Sequence, residues 1–319
     1  YRFPNERNNF VPIVIRGKVV DSKSAERIIA GMISLKTAHK DDITGLPLEV
    51  QMVADYNELL EENEALSGFI LAIRIEGIER INENFGLDVG DKIFSLVANA
   101  CESARDESTF VYRISGNKIA LMNVSGKNAR DAQELYALLK RKVSEIEHNL
   151  DYTAVFTISS GVVAFVNESG ELKELLKKAD FSLSMGKRSG KNNLYLFNSI
   201  EYTKHINKLY LREKLRDSVK ENFKGFEMYY QPVVDASKLS SCSNKVDGVK
   251  VIGAEALLRW SCPEFGLLGA DQIVPILEES GLIAPVGRWI LIKTFTQCKM
   301  WNEYNKRFHM SVNLSYMQF

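Results

Sequence analysis

The sequence predicts an α/β protein whose first large domain is an α+β sandwich, with helices packed on the faces of a mixed sheet. Helical and strand-like runs between residues 68 and 197 follow the order βααββαβαβ. A hairpin is expected in the middle of that order, because two β-rich runs flank Ser115, Gly116 and Asn117. From residue 226 onward strands alternate with helices, which is typical of a parallel βα array.

The bulk composition indicates an ordinary soluble globular protein. Its 319 residues predict two domains, and 45% hydrophobic and 26% charged residues are typical of such domains. Lys plus Arg equals Asp plus Glu at 41 each, so the charge balance gives no case for a nucleic-acid partner. No apolar run reaches the roughly 18 residues that a membrane span needs. The four cysteines lack metal-ligand spacing, which favours a reducing cytoplasm and no structural zinc.

The first 36 residues contain two strand-like runs, at residues 11–20 and 27–34. They resemble the last strands of a PAS-type sensor domain. An ordinary N-terminal extension explains the same alternation of apolar residues, and both interpretations stay open.

The predicted elements of residues 37–198 follow from periodicity and from turn residues. The run at residues 68–75 is almost wholly apolar, so we expect a buried central strand. Charged residues 199–222 form a run without Gly or Pro, and we interpret it as a solvated linker helix. The remaining predictions are helices at 48–66, 78–85, 89–104, 128–149 and 172–185, hairpin strands at 110–114 and 118–122, and strands at 152–165 and 193–197.

The hairpin and its surroundings resemble the GGDEF domain of diguanylate cyclases. The opening motif Asp41-Asp-Ile-Thr-Gly-Leu-Pro47 is similar to that family's D-x-L-T-G-L. At the turn, where the family has Gly-Gly-Asp/Glu-Glu-Phe, this chain has Ser115, Gly116, Asn117, Lys118 and Ile119.

The resemblance implies that the metal site of the family is degenerate here. The family's first metal-binding Asp corresponds to Arg74, and a phosphate-facing Lys corresponds to Glu79. With Asn117 and Lys118 at the turn, the hard oxygen ligands that Mg²⁺ requires are replaced. We therefore expect a catalytically dead GGDEF domain that needs no cofactor.

Some nucleotide-facing positions of the family are kept. Asn82 and Asp91 match the residues that read the guanine edge, and Lys187 and Lys191 match residues that touch phosphates. The resemblance implies possible GTP binding without Mg²⁺, with Arg74 or Lys118 in the electrostatic role of the metal, and a homodimer. In the alternative, these residues are a helix cap, a first-turn acid and solvated lysines, and the domain is a structural spacer or dimerisation element.

Three later motifs resemble the EAL domain of cyclic-di-GMP phosphodiesterases, a modified (β/α)₈ barrel. They are YYQPVV at residues 229–234, EALLRW at 255–260 and VNLS at 312–315. The resemblance implies that Glu255 and Asn313 are metal ligands, that Arg259 grips a substrate phosphate and that Gln231 contacts the substrate. A complete EAL domain would use Mg²⁺ or Mn²⁺ to hydrolyse cyclic di-GMP.

These observations predict the following organisation. Residues 1–36 are the possible end of a PAS domain, 37–198 the degenerate GGDEF domain, 199–222 the linker helix and 223–319 the first strands and helices of the EAL barrel. Such barrels take about 250 residues, so we expect the other acidic ligands and a catalytic Lys beyond Phe319 and no turnover by this chain alone. The predicted function is bacterial cyclic-di-GMP signalling, with a regulatory or GTP-sensing GGDEF domain and an EAL phosphodiesterase in the full-length protein. The alternative is a non-enzymatic regulatory or scaffold protein.

Overall fold

The computed structural model describes residues 40–150, 156–188, 192–235 and 250–318, together with the backbone of three strands within the first 35 residues. Of Lys187 and Arg188 it describes only the backbone. The chain divides into two compact units, residues 1–202 and 203–319. No helix in the described ranges is both long enough and apolar enough to span a bilayer.

The N-terminal strands are β1 (Arg2–Pro4), β2 (Phe10–Val20) and β3 (Ile28–Leu35), and they form an antiparallel sheet. The two predicted strands are thus confirmed. The relation of this segment to PAS domains stays a prediction.

The rest of the first unit has the predicted order of helices and strands. One helix precedes the sheet, and the hairpin lies in the middle of the order. The elements are α1 (Glu49–Glu62), β4 (Leu66–Glu76), α2 (Ile78–Phe85), α3 (Leu87–Ala104), β5 (Thr109–Arg113), β6 (Lys118–Asn123), α4 (Ala129–His148), β7 (Thr157–Glu168), α5 (Leu172–Arg188) and β8 (Leu194–Leu196).

The five-stranded sheet has the order β5-β6-β4-β7-β8. Only β7 and β8 pair in parallel, so the predicted mixed sheet is confirmed. Central strand β4 is buried on both faces. One face packs through Phe69, Leu71 and Ile73 on α3 and α4, and the other packs through Ile70 and Ala72 on α1 and α5.

The predicted helix at 48–66 is too long. Helix α1 ends at Glu62, and the side-chain Nδ2 of Asn63 donates to the Leu59 carbonyl oxygen over 2.8 Å. The apolar Leu66 continued the helical spacing but begins β4 instead. Residues 151–155, within the predicted strand at 152–165, lie outside the described residues.

The second unit contains strands flanked by long helices. Its elements are α6 (Ser199–Lys220, which begins in the first unit), β9 (Phe226–Val234), β10 (Val251–Cys262), β11 (Gly266–Gly269), α7 (Ala270–Glu279), α8 (Ile283–Tyr304), β12 (His309–Val312) and a short 3₁₀ helix, Tyr316–Gln318.

The predicted parallel array is wrong for β9, and the sequence did not predict β11. Strand β12 pairs in parallel with β10, but β9 and β11 pair with β10 antiparallel. Parallel neighbours need a crossover of a dozen or more residues, usually a helix, whereas antiparallel neighbours do not. Residues 236–249, which connect β9 to β10, lie outside the described residues. Their sequence is polar and predicts no crossover helix.

The core of the second unit lies between one face of this sheet and helices α6, α7 and α8. Trp260 is fully buried there and contacts Phe226, with 6.3 Å between ring centroids. Helix α6 was expected to be solvated. It is a helix as predicted, but its Leu211 and Leu215 are buried in this core.

Candidate functional site

The β5–β6 turn closes onto the end of the central strand. Gly116 has a φ of 54°, in the left-handed region that favours glycine. The Asn117 side chain donates from Nδ2 to the Ile75 carbonyl oxygen over 2.8 Å, and the Ile75 amide donates to the Asn117 carbonyl oxygen over 3.1 Å. The Asn117 side chain and backbone therefore hold the turn against β4.

A row of polar side chains crosses the sheet beside this turn. Arg74 on β4 lies directly opposite Lys118 on β6 and Ser159 on β7. All of them share the face covered by α5, because Ala72 and Ala120 on the same face belong to the core that α5 completes. From α5, Asp180 forms an ion pair with Lys118, with 2.7 Å between Nζ and Oδ1.

This row does not fit Mg²⁺. The divalent cation needs oxygen ligands, and the strand ends present a guanidinium and an ammonium. Across the described residues, no group of three or more His, Cys, Asp or Glu side chains could hold a metal ion.

Sequence reasoning missed the residue that ties this region together, Arg113. Its guanidinium forms an ion pair with Asp41 of the opening motif and lies 4.4 Å from the centre of the Phe94 ring on α3. Its Nη2 donates to the Gly116 carbonyl oxygen over 3.1 Å. Asp41 also accepts from the amide and hydroxyl of Thr44. Arg113 thus connects the opening motif, the hairpin turn and α3.

We expect Asp41→Asn to lower the free energy of unfolding of the first unit at neutral pH by about 2 kcal/mol, because it weakens a charge-assisted contact. Side-chain exposure is only 14% for Asp41 and 18% for Arg113, so solvent screens this pair weakly. Burial opposes ionisation of Asp41, but hydrogen bonds from Arg113 and Thr44 outweigh it and lower the pKa of the carboxyl.

A carboxyl whose pKa is lowered by folding stabilises the protein above its unfolded pKa and loses that effect as the pH falls through its folded pKa. The wild-type protein should therefore have the higher free energy of unfolding at pH 7, and its difference from Asp41→Asn should shrink below about pH 4. Urea unfolding followed by circular dichroism at several pH values measures it. The neighbouring exposed Asp42→Asn is the control and should change little. An advantage that does not decline at acidic pH would contradict the assignment.

The predicted guanine-reading residues lie close together. Asn82 on α2 packs against Gly90 on α3, so closely that a Cβ atom on Gly90 would come within 1.8 Å of Asn82 Oδ1. That Oδ1 atom is buried and lacks a hydrogen-bond partner among the described residues. Asp91, the next residue, is exposed. The side chains of Lys187 and Lys191 lie outside the described residues, so their roles stay predictions.

The residues predicted for the EAL site lie on one face of the β9–β12 sheet, opposite the face that packs on the core of the second unit. Glu255 on β10 lies directly opposite Gln231 on β9 and Ser311 on β12. Asn313, one residue beyond β12, donates from Nδ2 to Glu255 Oε1 over 2.8 Å. Three strands thus bring Gln231, Glu255 and Asn313 together, as expected for residues of one site.

Arg259 lies four residues beyond Glu255 on the same face of β10. Its guanidinium carbon is 5.6 Å from the centre of the Tyr229 ring, and its Nη1 donates to the Leu258 carbonyl oxygen over 2.8 Å. Stacking on an aromatic ring leaves guanidinium N–H groups available for a phosphate. The opposite face of β10 carries buried Ala256, Leu258 and Trp260, which hold the strand in place.

The donor set of Glu255 and Asn313 fits a hard divalent cation in type. A carboxylate and an amide carbonyl are oxygen ligands, which Mg²⁺ and Mn²⁺ prefer. The Asn313 side-chain amide donates to Glu255 in this structure. A 180° rotation of that amide would place its oxygen beside the Glu255 carboxylate.

Family models match both parts of the chain for which the motifs suggested a family. The family model described as the GGDEF domain of diguanylate cyclases matches residues 38–193, and the EAL domain model matches residues 212–319. The chain belongs to the GGDEF–EAL proteins. Both resemblances predicted from the motifs are thereby confirmed, in the predicted order.

Among curated relatives, the GGDEF–EAL chain is 30% identical over 260 residues to "Cyclic di-GMP phosphodiesterase NbdA" of Pseudomonas aeruginosa, covering 80% of this chain and 31% of that protein. It is 24% identical over 287 residues to "Signaling protein YkoW" of Bacillus subtilis, covering 89% of this chain and 34% of that protein. The chain thus spans about a third of the length of these relatives. Among solved structures, the cyclic-di-GMP-bound S helix–GGDEF–EAL region of LapD from Vibrio cholerae aligns with a TM-score of 0.44 at 13% identity, covering 88% of this chain and 62% of that chain.

Proposed function

We propose that the full-length protein hydrolyses cyclic di-GMP at its EAL domain, in the cytoplasm of a bacterium, while its GGDEF domain does not synthesise it. The hydrogen bond between Asn313 and Glu255 carries the first part, because it joins two predicted metal ligands from different strands over 2.8 Å. The name of the relative NbdA as a cyclic di-GMP phosphodiesterase supports the same assignment.

The roles proposed for the EAL residues follow from their positions. Glu255 and Asn313 hold the metal, Arg259 binds a phosphate oxygen of the substrate, and Gln231 orients the dinucleotide beside Glu255. When bound, Mg²⁺ or Mn²⁺ activates water and stabilises charge on the phosphate. Because Mg²⁺ takes six ligands, the rest of its coordination shell must come from further carboxylates and water.

The second part of the proposal rests on the row of Arg74 and Lys118. Two cations directly opposite each other repel the Mg²⁺ that a cyclase needs at this place. The GGDEF domain then acts as a regulatory module, which senses GTP through Asn82 and Asp91 and through Lys187 and Lys191, and which supports a homodimer.

The test uses the full-length protein with cyclic di-GMP and Mn²⁺ or Mg²⁺. Glu255→Gln should lower kcat at least about 100-fold, since it removes a ligand charge from the metal. Glu303→Gln, on the exposed surface of α8, is the matched control and should leave kcat unchanged. Residues 1–319 alone should be inactive, and GTP should yield no cyclic di-GMP. Hydrolysis by the full-length Glu255→Gln protein at the wild-type rate would refute the EAL assignment, and cyclic di-GMP formed from GTP would refute the GGDEF assignment.

A non-enzymatic scaffold is the second candidate, and the cationic row at the GGDEF site favours it. In that case the EAL domain would also lack turnover. A full-length protein that binds cyclic di-GMP, shows no hydrolysis with either metal, and lacks further acidic ligands and a Lys in its sequence would decide for the scaffold.

A further inference from the structure

Asn313 lies just beyond the last residue that the sheet fixes. The pairing of β12 with β10 ends at Val312, which lies opposite Ala256. Residues 313–315 belong to no helix or strand, and the 3₁₀ helix Tyr316–Gln318 follows them. Asn313 itself is exposed. A ligand on such a segment is only as well positioned as the contacts that hold the segment in place.

Ser315 is the residue through which this segment is held. Within residues 313–318, all except Ser315 and Gln318 are exposed. The Ser315 amide donates to Gln318 Oε1 over 2.8 Å, and the Gln318 amide donates to the Ser315 carbonyl oxygen over 3.1 Å. Ser315 Oγ accepts from the Met317 amide over 3.2 Å. Its hydroxyl hydrogen is left to donate to one further acceptor.

That acceptor is a carboxylate on α7. Ser315 Oγ donates to Glu278 Oε1, across 37 positions of sequence. Helix α7 is a firm support, because its Ile273, Ile276 and Leu277 are buried in the core of the second unit. A hydrogen bond to an ionised acceptor is about twice as strong as one between neutral groups. The half-buried Glu278 therefore ties the segment after β12 to that core.

Glu278 stands where a carboxylate does not favour its own helix. It is the last residue but one of α7, and the negative end of the helix dipole lies there. The next residue, Glu279, pairs with Lys208 over 2.7 Å, whereas Glu278 accepts from Ser315. Glu278, Ser315 and Asn313 line one cavity of about 160 Å³. The contact that offsets the cost at position 278 is thus made to the segment that carries Asn313.

We propose that Glu278 is a positioning residue for the EAL metal site, which acts through Ser315 to hold Asn313 beside Glu255. The inference rests on the proposed function, since it assigns a support to metal ligands named there. A metal site requires its ligand atoms within about 0.2 Å of their ideal distances. A loose segment after β12 would move Asn313 away from Glu255 by more than that, so metal affinity depends on the Glu278 contact.

The experiment compares Mn²⁺ binding by variants of the full-length protein. Electron paramagnetic resonance of free Mn²⁺ measures binding without turnover, and the Mn²⁺ concentration at half-maximal hydrolysis of cyclic di-GMP measures it with substrate. Glu278→Ala and Ser315→Ala should each weaken Mn²⁺ binding at least about tenfold, as loss of a group behind a metal ligand does. The double variant should bind no more weakly than either single variant, because both remove the same hydrogen bond. Glu278→Gln keeps a neutral acceptor oxygen and should lose less than Glu278→Ala.

The matched control is Glu279→Ala, which removes the adjacent, exposed carboxylate from the same helix and should leave Mn²⁺ affinity unchanged. Amide hydrogen exchange in the 319-residue chain tests the cause of the effect. The Met317 and Gln318 amides donate to Ser315. They should exchange faster in Glu278→Ala than in the wild type, and at the wild-type rate in Glu279→Ala.

Equal Mn²⁺ affinity in the wild type and Glu278→Ala would overturn the proposal. An equal loss in Glu279→Ala would overturn it as well, because the cause would then be a general destabilisation of α7. The proposed function fails in a different way. A wild-type protein that binds Mn²⁺ without hydrolysing cyclic di-GMP would refute the proposed function and leave the comparison of Mn²⁺ affinities intact. A wild-type protein that binds no Mn²⁺ would refute both.

Discussion

Gly161→Ala is expected to destabilise the first unit, which contains the GGDEF domain and is called the GGDEF unit below, by about 3 kcal/mol. This is the upper end of what overpacking costs. The methyl group would come within 2.2 Å of the Leu183 backbone nitrogen and 2.6 Å of the Ser182 carbonyl carbon. These are backbone atoms of α5, so no side-chain rotation relieves the clash. Helix α5 would have to move away from β7 and lose packing of Leu175 and Leu183.

The distribution of tryptophan makes this prediction measurable domain by domain. All three tryptophans belong to the second unit. Urea unfolding followed by circular dichroism reports on both units, and tryptophan fluorescence reports on the EAL unit alone. Gly161→Ala should shift the first signal to lower urea and leave the second unchanged. Gly170→Ala is the control, because its methyl would meet only the flexible end of Glu168, and it should cost less than about 1 kcal/mol. Equal midpoints for the two variants would contradict the predicted clash.

The second large effect is expected for Trp260→Ala, which should destabilise the EAL unit by about 4 kcal/mol. The indole is fully buried, and its Nε1–H donates to the Ser218 hydroxyl over 3.0 Å. Removing it leaves a cavity between β10 and α6 as well as an unmatched hydroxyl.

Trp260→Phe separates these contributions, since it keeps most of the packing and loses only the hydrogen bond, with an expected cost of about 1 to 2 kcal/mol. The fluorescence of Trp289 and Trp301 still reports unfolding in both variants. The part of the circular-dichroism transition that comes from the first unit should keep its midpoint. A cost for Trp260→Ala no greater than that for Trp260→Phe would show that packing of the indole contributes little.

Local signals in the sequence were sufficient for most elements of the fold. Helix α2 was predicted with its observed bounds, because apolar spacing and flanking glycines mark both ends. The hairpin was predicted from two β-rich runs and a small turn. The direction of β9 was not, because pairing direction depends on which strands meet, and alternation of elements does not encode that.

Motifs in the sequence indicated some residues of the candidate sites, whereas other contacts there are evident only from the structure. Glu255 and Asn313 were found through motifs, although 58 positions separate them, and the structure joins them. No local pattern pointed to the pairing of Asp41 with Arg113 across 72 positions, or to Asp180 beside Lys118. A glycine within a strand, such as Gly161, indicates that another backbone can approach closely, but only the packed structure shows that this backbone is that of α5.

The antiparallel course of β9 has a mechanical consequence for the EAL unit. Because β9 is antiparallel to β10, its first residues, near Glu227, lie beside Arg259 and not beside the first residues of β10. Only residues 221–225 separate them from the end of α6, whose Leu215 and Ser218 are fixed to the core and to the Trp260 indole. The end of α6 and the start of β9, which lies beside Arg259, are therefore held to the same core and joined by only five residues.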